Sequence, residues 1–403
     1  MLIFNAFKDL RIRRLWIGQV GSSVGDELYR MAFIWLAVEL LGADTGYAAA
    51  TQMAAVVFFG VFVGGLGERH RPDRVMIAVD LVRAVLSLIP AVLYLFGKPS
   101  YPVLLTSTVL MGALGTYFDP AMQSSIPMLI RDAKLLRGAN GLMSTTYRLA
   151  RVVGPALIGL LSGWVPVYHF FSINSLTYLF SALSIRSLSG YYPGKWAPVT
   201  PRVRKAPWMH LIESYQWMRS DPALFRGFVF KSVCGGIWGA VYLIGFALLA
   251  HGFESRGFGA YAWMTASYGV GNILSALVFG NYERRVSEEW IYAGFLLIGG
   301  SFIGMAHSDS LLELCFFSAL GAAGGPMNDL PFLEMLQERF SPERLNRLIR
   351  LRMISETIFY LVFTLLSPFL FRSLGIAPSI AGAGYLCVML SVVFYLRSRR
   401  APS

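Results

Sequence analysis

Six of the ionisable residues that interrupt the long apolar runs in the first 151 residues lie near the middle of a predicted span, and they are the side chains best placed to do chemistry. Charged groups in a hydrophobic segment are costly unless they are paired or reached by water, so they mark a functional site by default. Asp26 lies twelve residues after Arg14 and thirteen before Glu39. At about 1.5 Å per helical residue, this spacing places Asp26 near the middle of an apolar helix. The six residues are Asp26, Glu27, Arg30, Asp119, Arg148 and Arg151.

Acids and bases in one cluster suggest two complementary roles. A carboxylate can take up and release a proton, and Asp26 or Asp119 is the best candidate for that role. An arginine can bind an anionic group of a solute, and Trp238 and Tyr242, one helical turn apart, can line a cavity. The alternative is that the charges only pair with one another and that the rings pack or face lipid. The predicted proton-coupling residues are Asp26, Glu27 and Asp119, and the predicted substrate-binding residues are Arg30, Arg148, Arg151, Tyr147, Trp238 and Tyr242.

The composition indicates that the elements holding these residues are membrane-spanning helices. The chain has 403 residues, of which 55% are hydrophobic and 14% charged, whereas a soluble domain carries about 25% charged residues. Apolar runs of about 20 residues, enough to cross hydrocarbon, recur along the chain. We expect an all-α membrane protein with twelve spans in two pseudo-symmetric halves of six helices. The predicted spans are 15–40, 48–67, 75–96, 102–130, 135–163, 167–185, 224–250, 259–280, 290–306, 310–337, 345–371 and 376–396.

Loop charge predicts the orientation of these spans. Arginine and lysine concentrate in alternate loops and at both ends of the chain, so both termini are expected to be cytoplasmic and the number of spans even. The same bias explains the net charge of +12 without a nucleic-acid partner. We expect no cleaved signal peptide, because no small-residue cleavage site follows the first apolar run.

A basic, proline-containing stretch divides the chain. It predicts an N-terminal half at 1–185, a cytoplasmic linker at 186–221 and a C-terminal half at 222–403. Within the linker, Trp208–Arg219 can form a short amphipathic helix at the membrane surface. Similar strings containing Asp119 and Asp329 recur at an offset of about 210 residues, which is typical of transporters built from two repeats.

The loop between the second and third spans reads Gly64-Gly-Leu-Gly-Glu68-Arg69-His-Arg-Pro-Asp-Arg74. This string resembles the cytoplasmic signature loop of the major facilitator superfamily, with Glu68 where that family has aspartate. Arg71-Pro72 replaces the usual Gly-Arg. The resemblance implies a gate, since glycines permit close packing and the acid can pair with arginines. The alternative is an ordinary basic loop. The predicted gating residues are Gly64, Glu68, Arg69, Arg74, Gly154 and Pro155.

Gly154-Pro155 resembles the Gly-Pro signature of antiporters in that superfamily, although it can also be a plain packing kink. Ser22–Asp26, Phe118-Asp119-Pro120 and Ala139–Leu142 resemble one bacterial branch, which includes siderophore exporters of the enterobactin type and macrolide efflux pumps. Lysophospholipid flippases share parts of this pattern. The resemblance implies efflux, usually driven by a proton gradient.

Other ionisable residues within the predicted spans are expected to have structural, surface or gating roles. We expect Asp80 and Arg83 to be structural, Lys231 to extend to the cytoplasmic surface, and Asp329 and Glu356 to form gate pairs with nearby arginines. The chain has no phosphate-binding loop, no metal-ligand spacing and no catalytic nucleophile motif. We therefore predict neither an enzyme nor a bound cofactor or metal.

Together these features predict a proton-coupled exporter that works by alternating access, with its substrate site between the two halves at mid-depth. The arginines favour an anionic siderophore as substrate. The alternatives are a multidrug or macrolide pump and a lysophospholipid flippase. Expected partners are the lipid bilayer of the bacterial inner membrane, protons and a small-molecule substrate, and the expected state is a monomer.

Overall fold

Helices form the secondary structure of the described chain. The computed structural model describes residues 6–62, 70–98, 100–130, 132–192, 207–252, 257–280, 288–340 and 342–400, and those ranges contain no strand. Three of the predicted gating residues, Gly64, Glu68 and Arg69, lie outside these ranges. The all-α class is therefore confirmed, and the gate prediction rests on fewer residues.

The chain forms two compact units. Unit 1 comprises Met1–Leu40 and Ala48–Thr200, and unit 2 comprises Leu41–Tyr47 and Pro201–Ser403. The division predicted at 1–185, 186–221 and 222–403 stays a prediction.

Six long helices supply most of unit 1, and their ends follow local sequence signals. Asp132 precedes the fifth helix and accepts a hydrogen bond from the Leu135 backbone N–H at 2.7 Å, which caps that helix. The helices are α1 (Leu10–Leu41), α2 (Thr45–Phe62), α3 (Pro72–Leu95), α4 (Tyr101–Leu129), α5 (Ala133–Leu161) and α6 (His169–Arg186).

Unit 2 begins with a short helix, α7 (Pro207–Arg219), where the sequence predicts the linker helix. Its first long helix, α8 (Pro222–Ala240), is capped by Asp221 and continues through a π-helical turn at Val241–Gly245. The π-turn adds a residue to the helical repeat and locally redirects the side chains that follow. The remaining helices are α9 (Phe246–His251), α10 (Gly257–Gly280), α11 (Glu289–Ala306), α12 (Leu311–Arg339), α13 (Pro342–Leu374) and α14 (Ile376–Arg400).

Each predicted span coincides with a long helix of the described chain, when α8 and α9 are counted as one continuous span. Seven of these helices are long and apolar enough to cross a membrane by length and hydropathy. Among the rest, α1, α5 and α12 carry several charged residues within their bounds. In α1 and α5 these charges include the candidate-site residues Asp26 and Arg148.

One end of unit 1 has a well-packed apolar core. Met76 from α3 lies among Phe118, Met122 and Ile126 from α4, and all four are buried. This packing holds α3 against α4 and fixes the positions of Asp80 and Asp119 one to two turns away along each helix.

The loop after α1 packs on α13 within unit 2. Gly46 lies so close to Pro368 that a Cβ at position 46 would come within 2.6 Å of the proline ring. Asp44 forms an ion pair with Arg372 near the end of α13. Gly42 has a φ of 55°, a backbone conformation that favours glycine.

Candidate functional site

Exposed charged side chains lie near the middle of α1, α4 and α5 in unit 1. Asp26 and Asp119 are exposed, and so are Tyr147, Arg148 and Arg151 on one stretch of α5. A charged side chain facing lipid at mid-helix costs roughly 2.5–3.5 kcal/mol. This face of unit 1 is therefore suited to water rather than to hydrocarbon.

Asp26 is anchored from behind by a tyrosine. The Tyr178 hydroxyl on α6 donates a hydrogen bond to Asp26 Oδ1, and the Tyr178 ring is buried. The carboxylate is thus fixed on its inner side and exposed on its outer side, an arrangement in which it can exchange a proton with water.

Arg83 on α3 is a buried cation behind the exposed face. Its guanidinium lies 5.4 Å from the Phe118 ring centroid and 5.6 Å from that of Tyr178. Nη2 donates to the Met111 carbonyl oxygen at 3.3 Å, and Nε has no hydrogen-bond acceptor among the described residues. Within the described chain, no carboxylate lies within ion-pair distance of Arg83. Aromatic faces and a carbonyl stabilise this charge in place of a counter-ion.

Asp80 lies one turn before Arg83 and is fully buried. Neither of its carboxylate oxygens has a hydrogen bond of acceptable geometry within the described residues. The hydroxyl of Ser181 on α6 is its polar neighbour. The prediction that Asp80 and Arg83 are structural did not include the proximity of Arg83 to Asp26 and Asp119, whose charges act on it together with that of Asp80.

Glu27 pairs with Arg30 and lies within ion-pair distance of Arg151, two of the arginines predicted to bind substrate. Its Oε2 lies 2.5 Å from Arg30 Nη2, one turn along α1, and its Oε1 lies 3.9 Å from Arg151 Nε on α5. Gly154 packs against the Glu27 side chain and makes room for it. Arg148 is exposed and has no ion pair with a described residue. The cluster predicted from sequence is therefore two groups: Glu27 with Arg30 and Arg151, and Asp26 with Tyr178 near Arg83.

Unit 2 contains an aromatic cluster at the other predicted substrate-binding residues. Trp238 and Tyr242 stack with ring centroids 5.3 Å apart and planes inclined by 15°. Tyr268 on α10 contacts Tyr242 at 4.7 Å between centroids. The Trp238 indole N–H has no acceptor among the described residues. These half-buried rings together form an apolar aromatic surface.

Lys231 does not extend to the surface, so that prediction is wrong. Only 7% of its side chain is exposed, and its ammonium donates to Asn328 Oδ1 and Asp329 Oδ1. The prediction relied on the five residues that separate Lys231 from Arg226 in sequence, whereas the partners of Lys231 belong to a different helix, α12.

The described part of the signature loop ends in an ion pair. Arg71 Nη2 lies 2.7 Å from Asp73 Oδ2 and donates to the Ser189 carbonyl at 3.0 Å. The hydrogen bond with the Asp73 carboxylate raises the pKa of Arg71 above its usual value. Arg74, in the first turn of α3, is exposed. A gating role for Arg74, Gly154 and Pro155 stays a prediction.

Sequence reasoning missed three members of these groups. Arg83 and Lys231 carry the same signal as the predicted residues, an ionisable side chain in an apolar run. Arg83 lies near the inner end of its predicted span and Lys231 lies five residues after Arg226, so the sequence favours a structural role for the first and a surface position for the second. Tyr178 has no such signal, because a tyrosine in an apolar helix is common and only its position on α6 aims its hydroxyl at Asp26.

Sequence comparisons identify the family. The model of the transmembrane secretion effector family matches residues 3–326. Macrolide efflux protein A of Streptococcus pyogenes is 21% identical over 97% of this chain and 96% of its own length. The multidrug efflux pump Tap of Mycobacterium tuberculosis is 26% identical over 43% of each chain.

Structure comparison supports the same fold. The crystal structure of the nucleoside transporter NupG superposes with a TM-score of 0.76 over 98% of this chain and all of that chain, at 11% sequence identity. At such low identity the likeness shows the fold alone. With the family match over most of the sequence, these findings show that the chain is a multi-pass membrane protein of the major facilitator superfamily and belongs to its transmembrane secretion effector family.

Proposed function

We propose that this protein is a proton-driven efflux pump for drug-like molecules of the macrolide or multidrug type. The observation that carries the proposal is the exposure of Asp26, Asp119 and Arg148 near the middle of helices in a membrane protein. Such side chains are tolerable only where water reaches them, and a water-filled path at mid-helix is what a transporter needs.

Proton coupling rests on Asp26 and Asp119. Both carboxylates are exposed to water on one side and lie near the buried charge of Arg83 on the other. Protonation of either one changes the electrostatic balance around Arg83, whereas release of the proton restores it. A change of that kind can bias a transporter between its two states by alternating access.

Two features favour drug-like molecules over an anionic siderophore as the substrate. Glu27 pairs with Arg30 and lies 3.9 Å from Arg151, so part of the positive charge that an anionic substrate could bind is already compensated. The stacked rings of Trp238 and Tyr242 suit an apolar body instead. The relatives named for macrolide and multidrug efflux agree with this choice. Siderophore export is a second candidate only through Arg148, whose exposed guanidinium has no ion pair with a described residue.

The proposed setting is the bacterial inner membrane with both termini in the cytoplasm, as the loop charges indicate. In that orientation the pump takes its substrate from the cytoplasm or inner leaflet and acts as a monomer. Protons entering the cell drive the substrate outward.

Transport into proteoliposomes tests the proposal. With the lumen acidified, radiolabelled erythromycin should accumulate inside vesicles that contain the wild-type protein, and collapse of the pH gradient should release it. Asp26→Asn and Asp119→Asn should each abolish accumulation. Glu338→Gln is the matched control, because it makes the same acid-to-amide change at an exposed position near the end of α12.

Retention of gradient-driven uptake by both aspartate variants would contradict the coupling assignment. Uptake of an anionic siderophore, lost in Arg148→Ala, with no uptake of erythromycin would replace the proposed substrate class with the second candidate.

A further inference from the structure

Unit 2 contains a charged cluster that the proposed function does not use. The Lys231 ammonium on α8 donates to Asn328 and Asp329 on α12 and lies 3.9 Å from Glu356 Oε1 on α13. Arg352, one turn before Glu356, lies 3.5 Å from Asp329 and 3.8 Å from Glu356. Two carboxylates and two cations from three helices therefore share one site.

One carboxylate of the cluster, Asp329, belongs to the sequence string that recurs between the two halves of the chain. Asp329 lies 210 residues after Asp119 and keeps its sign. The second half therefore repeats one carboxylate of the candidate site.

Burial is uneven within the cluster. The Lys231 side chain is 7% exposed, whereas that of Asp329 is 57% exposed. Glu356 Oε1 is buried and receives no hydrogen bond from any described residue. Solvent therefore reaches Asp329, and the buried Glu356 Oε1 can still accept a hydrogen bond.

Lys231 already shows which chemical group the two carboxylates accept. It is an ammonium held by Asp329, close to Glu356, with the Asn328 amide oxygen as a third acceptor. A substrate ammonium presents the same charge and the same N–H donors. Trp238 follows Lys231 by seven residues, two turns along the same helix and about 10 Å away, so the aromatic cluster lies on the side where an attached apolar body can bind.

We propose that Asp329 and Glu356 form a binding site for the ammonium group of a lipophilic amine, and that Lys231 is a built-in competitor that the ligand must displace. The inference rests on the proposed function, since it defines the substrate as a cationic amphiphile. The competing lysine is a feature that efflux itself does not require. While the Lys231 ammonium occupies the carboxylates, the amine cannot bind, so the apparent affinity for the amine falls in proportion to that occupancy. Once the amine has left, Lys231 occupies the site again.

Equilibrium binding of dansylcadaverine, a fluorescent primary amine, to the detergent-purified protein tests the inference. If the carboxylates are free of Lys231 about a tenth of the time, Lys231→Gln should lower the dissociation constant about tenfold. Lys231→Arg keeps the tethered cation and should bind like the wild type. Asp329→Asn should weaken binding by a similar factor. Dansylamide, which lacks the amine, should bind all four proteins equally.

Arg352→Gln is a second variant for the same binding test if Lys231→Gln does not fold. Arg352 contacts both carboxylates from a more exposed position, and its removal should also tighten amine binding. Unchanged or weaker amine binding in folded Lys231→Gln or Arg352→Gln overturns the inference, as does an equal gain for dansylamide. Failure of these binding tests while erythromycin uptake persists refutes the competitor alone. Intact amine binding without gradient-driven uptake of any probe refutes the proposed function alone.

Discussion

Gly154 on α5 lies directly against Glu27 on α1, where a Cβ at position 154 would come within 2.6 Å of the Glu27 Cβ. The glycine of the Gly-Pro pair therefore does more than permit a bend. It lets the carboxylate that binds Arg30 and Arg151 sit between two helices.

Gly154→Ala should destabilise the protein and impair transport. The added methyl group must displace Glu27 or separate α1 from α5, and overpacking of this kind costs about 1–3 kcal/mol. Thermal unfolding in detergent and erythromycin uptake measure the two effects. Gly235→Ala is the control, because a Cβ there meets nothing within 4 Å, and alanine favours a helix over glycine. Equal stability of the two variants would contradict the packing role of Gly154.

Arg83 should be the cation on which unit 1 most depends. Without it, the fully buried Asp80 would lose the cation that acts on it, as would Asp26 and Asp119, and a buried charge left without its partner is strongly destabilising. Arg83→Gln should lower the melting temperature and abolish gradient-driven uptake. Arg83→Lys should restore part of the stability, because it keeps the charge but loses the planar contact with the Phe118 and Tyr178 rings. A wild-type melting temperature for Arg83→Gln would show that the carboxylates need no counter-charge.

The contrast between Arg83 and Lys231 shows how far sequence reasoning could go. Apolar run length located the long helices, since each span must bury about 20 residues in hydrocarbon. The same rule flagged every intramembrane charge. It could not rank these charges by functional importance, because that depends on neighbours that are distant in sequence. Asn328 and Asp329, for example, lie 97 and 98 residues from Lys231.

The sequence also could not predict which side chains of the candidate site contact one another. Helix depth placed Asp26, Glu27 and Arg30 together, but their roles differ because successive residues point to different sides of a helix. Glu27 faces Arg151 and Gly154, whereas Asp26 faces Tyr178. Depth follows from counting along the chain, while the facing direction depends on how α1 packs against α5 and α6.

The linker helix α7 should be held on α13 mainly by an aromatic ring. Trp217 lies under the guanidinium groups of Arg344 and Arg347, 5.0 and 5.9 Å from the ring centroid. Glu213 pairs with Arg347 at 3.1 Å, but both side chains are substantially exposed. Such a pair contributes roughly 0–1 kcal/mol.

Trp217→Ala should therefore lower the melting temperature more than Glu213→Gln does. Only the small effect of Glu213→Gln should disappear in high salt, because salt screens an exposed ion pair but not a packed ring. Thermal unfolding at low and high ionic strength measures both. A larger loss for Glu213→Gln would mean that charge rather than the ring holds α7.

Asp9 should give the N-terminal end of α1 an acid-sensitive stability. The side-chain hydrogen bond from Arg11 lowers the pKa of Asp9 below its usual value of 3.8. A depressed folded pKa means that the contribution is present above pH 3.8 and is lost as pH falls through the lower folded value. The melting temperatures of wild type and Asp9→Asn should thus differ at neutral pH and converge as the pH falls from 3.8 through the lower folded pKa of Asp9. A difference that persists at low pH would point to a cause other than ionisation.

Gly294→Ala tests whether helix packing positions the Lys231 cluster. Gly294 on α11 faces Gly324 on α12 so closely that a Cβ at position 294 would lie 2.6 Å from the Gly324 carbonyl oxygen and 3.0 Å from the Asn328 Cβ. Asn328 is one of the acceptors that hold Lys231. The methyl group must move α12, at a cost of about 1–3 kcal/mol, and Asn328 should move with it.

We expect Gly294→Ala to melt at a lower temperature and to bind dansylcadaverine with altered affinity, because displacement of Asn328 removes one acceptor from Lys231 and frees it to leave the carboxylates. Gly300→Ala, on the same helix, adds a methyl group where nothing lies within 4 Å, and it should change neither quantity. If Gly294→Ala melts lower but binds the amine as the wild type does, close packing of α11 on α12 supports the fold without setting the geometry of the site.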